Sequence, residues 1–293
     1  MSKEIIPIYS IPDLAKSVVA GDFEITTLES AFGAARRNVL SPHRHNYFEL
    51  FWIEKGGGSL SVDFDSYEIK PPMILLFSPG RVHAWNPSET PAGFVIRFSA
   101  DFFASDSQDT AELSEMHIFY SIGGDPVLYI DSEQNEQFEM LTRAVFREFC
   151  GKDLERATAL RSYLRLWLIC AKRIAEQKRP QQNQTTAFYL TRRFLTLVEQ
   201  NYQKNLSVKD YAGRLKVSAA HLSATVKQNM NKTAGEIIHE RLLIEAKRLL
   251  RYSELTVSDI AFHLNFEDPS YFARFFRQHT GSTPTDFRHE NSE

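Results

Sequence analysis

A ten-residue pattern occurs twice near the C-terminus, and no other feature constrains the fold of this chain as tightly. Residues 206–215 read LSVKDYAGRL and residues 255–264 read LTVSDIAFHL, an offset of 49. Both fit Leu-[Ser/Thr]-Val-x-Asp-x-Ala-x-x-Leu. After a one-residue slip the echo continues, with HLSATVKQ at 221–228 answering YFARFFRQ at 271–278. Self-similarity of this kind means two copies of one supersecondary unit. Ser207 and Thr256 stand where N-caps are expected, and Asp210 and Asp259 three residues later complete a box at each start. Val208, Ala212 and Leu215 share one helix face, as do Val257, Ala261 and Leu264. The small Ala in the middle lets a second helix cross closely. A short helix, a tight turn and a second helix make a helix-turn-helix.

The turns are Lys216-Val217-Ser218 and Asn265-Phe266-Glu267-Asp268. Such a turn needs a residue at positive φ, which Asn265 tolerates well. Ser218 can cap the second helix of copy one, and Asp268 with Pro269 at the first helical position suits copy two. Leu222 and Val226 face inward in the first copy, and Phe272, Phe275 and Phe276 in the second. The opposite faces carry His221, Ser223, Ala224, Thr225 and Lys227, and then Pro269, Ser270, Ala273, Arg274 and Arg277. Small and basic side chains on an amphipathic helix suit the groove of double-stranded DNA. Arg can hold guanine bidentately, and Lys or Arg can hold phosphate. Between the copies, residues 233–253 open on a Thr233–Glu236 capping pair. They carry a stripe of Ile237, Leu242, Ala246 and Leu249 or Leu250. A helix of 21 residues spans ~30 Å, close to the ~34 Å of one DNA turn. Such a rod could hold two readers in successive major grooves.

Residues 203–289 resemble the AraC/XylS family of bacterial transcription regulators. The resemblance rests on HLSATVK, on Arg241 with EAKRLL, and on VSDIAFHLNFEDPSYFARFFRQHTGSTPTDFR. It implies a DNA-binding regulator, more often an activator, with RNA polymerase as a partner. Two positions depart from the family pattern. Asn265 replaces the usual Gly before Phe, and Ala220 and Ala224 stand where larger readers are common. We therefore expect the second recognition helix, with Arg274, to dominate base reading.

Charge divides the chain in the same way. Residues 186–293 hold 15 Lys+Arg against 12 Asp+Glu, and residues 1–185 hold 19 against 25. A basic reader joined to an acidic partner domain fits DNA contact by the C-terminal part only. No apolar run approaches the ~18 residues of a membrane span, and MSKEIIPIYS has no signal-peptide core. The expectation is a cytoplasmic protein, associated with the nucleoid when bound to DNA, with no membrane partner. Cys150 and Cys170 read as buried or half-buried free thiols.

Residues 20–103 are rich in strand signals, at 23–30, 47–56, 58–70, 73–79 and 93–99, split by Gly56-Gly57-Gly58, Pro71-Pro72 and Pro79-Gly80. That spacing points to a small barrel or jelly roll with room for one ligand. HRHNYFELFWIEKG at 43–56 fits His-x-His-x3-Glu-x6-Gly, the first signature of cupins, and PGRVH at 79–83 resembles part of the second. His43, His45, Glu49 and His83 have the make-up of a metal site. Pro72, Met73 and Ser78, however, replace the Gly, Asp and Pro of the second signature, and similar sensor domains generally work without metal. The favoured reading is an effector pocket of His43, His45, Glu49, His83, Trp85 and Arg97, with no cofactor and no catalytic residues. The alternative is a metal-dependent cupin enzyme or metal sensor. PIYSIPD, SPGRVHAW and GFVIRFSADFF resemble a subgroup that responds to aromatic acids. For such a ligand Trp85 would supply a face and Arg97 a cation; the alternative for each is structural, with Trp85 in the core and Arg97 paired with an internal acid. A third reading has a filled interior, with Phe51, Ile53 and Trp85 packed and no effector.

Residues 132–151 and 153–178 read as two helices. The first carries Phe138, Leu141, Val145 and Phe149, the second Leu154, Ala157, Leu160, Leu164, Leu168 and Ala171. They serve a homodimer interface or pack on the barrel. The organisation is α+β multidomain. A cupin-like β-barrel effector domain (1–131) and a helix pair (132–178) are followed by a linker (179–187) and an all-α DNA-binding domain with two helix-turn-helix units (188–293).

Overall fold

The computed structural model describes residues 7–11, 22–103, 113, 116–119, 125–177 and 186–290. They fall into two compact units, one from residues 7–119 and 125–177, the other from residues 186–290. The expected linker lies, through residue 185, outside the described residues. Among them no helix is long and apolar enough to cross a membrane.

The first unit runs through β1 (Ile8–Tyr9), β2 (Phe23–Thr27), α1 (Leu28–Val39), β3 (Arg44–His45), β4 (Phe48–Val62), β5 (Asp65–Glu68), β6 (Met73–Phe77), β7 (His83–Phe98), α2 (Ala100–Phe103), a 3-10 turn at His117–Phe119 and β8 (Val127–Tyr129). β1 pairs in parallel with β3. The main sheet is antiparallel, in the order β2-β7-β4-β6-β8, with β5 beside β4. Alternation along β4 sends Leu50 and Trp52 to one face, with Ile74, Leu76, Phe94 and Ile96. Phe51 and Ile53 go to the other, with Leu75, Phe77, Trp85 and Val95.

The three glycines do not split two strands, as expected, but lie within β4. Register shifts between Ile53 and Gly58 mark bulges there, and beyond them Leu60 and Val62 join the Phe51 cluster. The bulges have moved the facing by one residue. Gly58 is required at this point, because its φ is +110° and a Cβ would collide with the Asn86 carbonyl. Both halves of β4 and β7 thus enclose one interior, and the expected barrel takes the form of a sheet folded over that cluster.

Three other readings are corrected. The strand placed at 23–30 ends at Thr27, whose hydroxyl accepts the Ser30 amide at 3.2 Å and caps α1. α1 lays Leu28 and Phe32 over the interior, Phe32 meeting Trp85 edge-on at 5.2 Å. β7 begins at His83 and not near Gly93, because Pro87 sits at a bulge where no regular ladder bond is lost. β8, three residues long, is added at the sheet edge.

Two helices follow, α3 (Ser132–Cys150) and α4 (Arg156–Gln177). Leu154 precedes α4 and is 93% exposed, so it leaves the apolar stripe. Phe149 and Ala157 are half-buried, and the rest of the stripe is buried. Phe138, Leu141, Val145, Leu160, Leu164, Trp167, Leu168 and Ala171 share one core with Trp52, Ile74 and Phe94 of the sheet. The indole N–H of Trp52 donates to Asn135 at 2.9 Å and that of Trp167 to Thr142 at 3.0 Å. Of the two uses open to the helix pair, the chain's own sheet takes up this face. Cys170 is buried, but Cys150 is exposed, against expectation.

The second unit is helical: α5 (Thr186–Asn201), a 3-10 turn at Tyr202–Lys204, α6 (Val208–Leu215), α7 (Ala219–Met230), α8 (Ala234–Tyr252), α9 (Val257–His263), α10 (Pro269–Thr280) and α11 (Pro284–Glu290). The capping boxes Ser207–Asp210, Thr233–Glu236 and Thr256–Asp259 all form, each worth about 1 kcal/mol. Ser218 caps α7 and Asp268 caps α10. Both tight turns carry one left-handed residue, Lys216 at φ +58° and Asn265 at φ +59°. Asn265 also donates its side-chain amide to the Lys204 carbonyl at 3.2 Å.

Two outcomes are expected. Trp167→Ala opens a cavity at the helix–sheet core and lowers stability by about 3–5 kcal/mol, read by urea unfolding followed by circular dichroism. Left-handed Lys costs about 1–2 kcal/mol, against about 0.5–1 kcal/mol for the added chain freedom of glycine. Lys216→Gly should therefore raise stability by about 0.5–1 kcal/mol. Asn265→Gly should bring no gain, since it also removes the bond to Lys204.

Candidate functional site

Two regions gather the residues singled out by the sequence. The first is the outer face of the paired helix-turn-helix units. Leu222 and Val226 bury α7 against α5 and α6, in a core with Phe194, Tyr211, Ala212 and Leu215. His221, Ala224 and Lys227 are exposed on its other side, and Ser223 is half-buried. Thr225, expected on the outer face, is buried at 5% exposure. α10 buries Phe272 and Phe276 in a separate core with Ile260, Ala261 and Leu264. Ser270, Arg274 and Arg277 are exposed, and Pro269 and Ala273 are half-buried. Tyr271, which sequence reasoning passed over, is 62% exposed on the same stretch. The Arg274 guanidinium lies 5.8 Å from its ring centre. The available signal was an aromatic at the exposed start of a helix whose other aromatics face inward.

α8 joins the two cores. Its Ile237 and Ile238 belong to the first, and its Leu242, Ala246, Leu249 and Leu250 to the second. At the seam Arg241 donates through Nε to both Glu199 oxygens, at 2.9 and 3.0 Å. Its guanidinium lies 3.6 Å from the Tyr202 ring centre. Arg248 donates to Glu245 at 3.1 Å, and all three of Arg241, Glu245 and Arg248 are buried. Nineteen residues of α8 give a rod of ~28 Å.

The second region is the interior of the folded sheet. His43 and His83 exchange backbone hydrogen bonds of 3.1 and 2.9 Å between the segment before β3 and the start of β7. His45 lies on β3 and Glu49 on β4, and all four side chains are buried. Together with Tyr9, Phe32, Phe51, Trp85 and Arg97 they line a cavity of about 20 Å³. Tyr9 packs over His43 and His45, with ring centres at 5.9 and 6.0 Å. Phe51, Ile53 and Trp85 fill the rest of the interior. Pockets for organic ligands run to roughly 300–1,000 Å³, whereas one water needs only about 10–15 Å³.

Electrostatics in this cavity are lopsided. Arg97, open in the sequence to an effector carboxylate or an internal acid, is committed to internal acids. Its Nε donates to Glu49 Oε1 at 2.8 Å and its Nη1 to Glu24 Oε2 at 2.7 Å. Burial alone would raise the Glu49 carboxyl, but His45, Arg97 and His83 outweigh it and hold it well below the usual carboxylate range. The Arg97 guanidinium is raised in turn, because Glu49, Tyr47 and Glu24 outweigh its burial. Burial, followed by the neighbouring His45, lowers His43 to about 4. Burial and His43 lower His83 well below the ordinary imidazole value. Both imidazoles are therefore neutral near pH 7.

Arg97→Met should strand two buried carboxylates and lower stability by about 3–5 kcal/mol. Glu24→Gln, which leaves Glu49 paired, should cost much less. Urea midpoints at neutral pH separate the two, and equal small losses would deny the network a structural role.

Comparison with known proteins agrees with both regions. The AraC-like ligand binding domain family matches residues 30–168, and the helix-turn-helix domain family matches residues 211–290. The uncharacterized HTH-type transcriptional regulator YfiF of Bacillus subtilis is 25% identical over 253 residues, covering 84% of this chain and 78% of that protein. The HTH-type transcriptional activator RhaS of Escherichia coli O157:H7 is 27% identical over 248 residues, covering 84% of this chain and 86% of that protein. Among solved structures, ToxT from Vibrio cholerae aligns over 93% of this chain and 100% of its own, at 14% identity and a TM-score of 0.40. With both domains matched in one chain and regulators of this architecture as its relatives, the protein belongs to the AraC family of transcriptional regulators.

Proposed function

We propose that the chain is a transcription activator that reads double-stranded DNA with α7 and α10 under control of a small-molecule effector in the first domain. One observation carries the DNA reading. Two recognition helices with inward apolar faces leave His221, Ala224, Lys227, Ser270, Arg274 and Arg277 exposed, and a single buried helix connects them. Ser223, Pro269 and Ala273 complete the proposed contact set, and Tyr271 joins it. Arg274 is the base reader, and Lys227 is a phosphate contact. The name of RhaS, a transcriptional activator, supports activation and RNA polymerase as the second macromolecular partner. A second copy of the chain is proposed against the outward side of α3 and α4, where Met140 is 65% and Leu166 is 45% exposed.

The effector is proposed to act at His43, His45, Glu49, His83, Trp85 and Arg97. An organic acid would need the cavity to widen on the side of Tyr9 and Phe32, and it would have to displace Glu49 or Glu24 from Arg97. Such a ligand would shift the population toward the widened state. The relatives are named as regulators, and catalysis is no part of the proposal.

Selection of bound duplexes from a random DNA pool tests the reading. A defined sequence in two blocks one helical turn apart supports it, and recovery of unselected DNA contradicts it. Against the selected duplex, Arg274→Ala should cost about 1–3 kcal/mol and relax preference at one block. Ser223→Ala should relax preference less. Lys227→Ala should weaken all duplexes alike and reduce the salt dependence of binding by about one ion.

A further inference from the structure

Four buried polar residues, His43, His45, Glu49 and His83, line the interior cavity together. His43 Nδ1 lies 2.8 Å from the Ser41 carbonyl, and His83 Nδ1 lies 3.4 Å from the Arg81 carbonyl. A carbonyl only accepts, so in the neutral rings each Nδ1 carries the proton and each Nε2 is a bare lone pair. Glu49 spends Oε1 on Arg97, and its buried Oε2 has no hydrogen-bond partner. That oxygen lies 3.5 Å from His83 Nε2 and 3.1 Å from His45 Nε2. His45, 6% exposed, has neither ring nitrogen held by a backbone carbonyl; with its proton on Nδ1 it offers a third Nε2 lone pair, and with its proton on Nε2 it faces Glu49 Oε2 as the one donor of the cluster. The ligating nitrogens of His43, His45 and His83 all lie within 4.8 Å of one another.

We propose that this cluster binds one divalent transition-metal ion through His43, His45 and His83, with Glu49 Oε2 as the fourth ligand. The Nε2 lone pairs of His43 and His83 and the Glu49 Oε2 converge on a buried cavity of about 20 Å³, and a cation there would draw in the His45 lone pair as well. Three imidazoles and a carboxylate suit the zinc, iron, manganese and cobalt class and not calcium or magnesium. The surroundings are those of a supported site. Backbone carbonyls fix the tautomers of His43 and His83, and Arg97 is a positioning residue that holds Glu49 through the other oxygen. The site ties β3, β4 and β7 together on the interior side of Tyr9. This inference does not depend on DNA binding, and its test uses no DNA.

The test is titration of untagged full-length protein, first stripped with chelator, with Co²⁺ as the probe. Visible d–d bands, metal per chain by mass spectrometry and thermal midpoint are read together. The expected result is one Co²⁺ per chain with tetrahedral or five-coordinate bands and a midpoint that rises with Co²⁺ concentration. His45→Gln keeps an amide donor toward Glu49 while deleting the imidazole, and His43→Asn keeps an amide donor for the Ser41 carbonyl while deleting Nε2. Both should fold normally in chelator, by circular dichroism, and bind Co²⁺ at least about 100-fold more weakly. Absence of Co²⁺ binding by the wild type overturns the proposal. So does binding that the two variants leave unchanged, which would assign the metal to another place such as His239 on α8 and His279 on α10, whose ring centres lie 5.0 Å apart.

Discussion

The buried ion network on α8 is the constraint on which the DNA-binding half depends. Each helix-turn-helix unit has its own small core, and α8 is the element that both cores bury. Its seam is polar: Arg241 is held by Glu199 and stacks on Tyr202, and Glu245 is held by Arg248. A buried guanidinium without these acceptors would cost several kcal/mol, so the network admits one placement of α5, the 3-10 turn and α8. The two cores could slide on a purely apolar rod. They cannot slide past fixed charges, and the separation of the two reading helices becomes a property of the chain.

The first domain applies similar logic to a different end. Bulges at the glycine triplet fold one sheet over an interior, α1 closes it on one side, and α3 and α4 cover the opposite face of the sheet. Aromatic packing by Phe51, Phe77 and Trp85 leaves little space. What space remains is lined by His43, His45, His83 and Glu49 beside aromatic rings. In such a cavity a small change in occupancy, whether by a cation or by an organic acid that opens it, changes the balance of charge around Arg97. Two strands feel that change directly, because Arg97 holds Glu24 on β2 and Glu49 on β4.

Legibility in the sequence followed the range of the interactions. Caps, inward faces and the Asn265 turn depend on residues within four positions, so the repeat disclosed them. Lys216 carries no such signature of its own; only its alignment with Asn265 across the repeat points to its left-handed φ. Thr225 was misread because it adjoins a polar face without belonging to it. In the first domain His43, His45 and Glu49 could be placed together from spacing alone. An internal acid for Arg97 was an open alternative, but which acids could not be read, since its partners are 48 and 73 residues away and burial of an ion pair leaves no local pattern. β7 was shortened for a similar reason: proline argues against a strand locally, and only the bulged register on β4 makes room for it. The stripe on α3 and α4 was legible as apolar, but its partner was not, because one stripe serves a sheet or a second copy equally well.

The central claim is that one rigid chain sets two readers on one face of the duplex. Methylation interference at guanine N7, on the selected duplex, tests it most directly, because N7 lies in the major groove. The account predicts two clusters of interfering guanines about 10 base pairs apart, with Arg274→Ala erasing the cluster that belongs to α10 and sparing the other. A single cluster, or two whose separation varies from site to site, would contradict it.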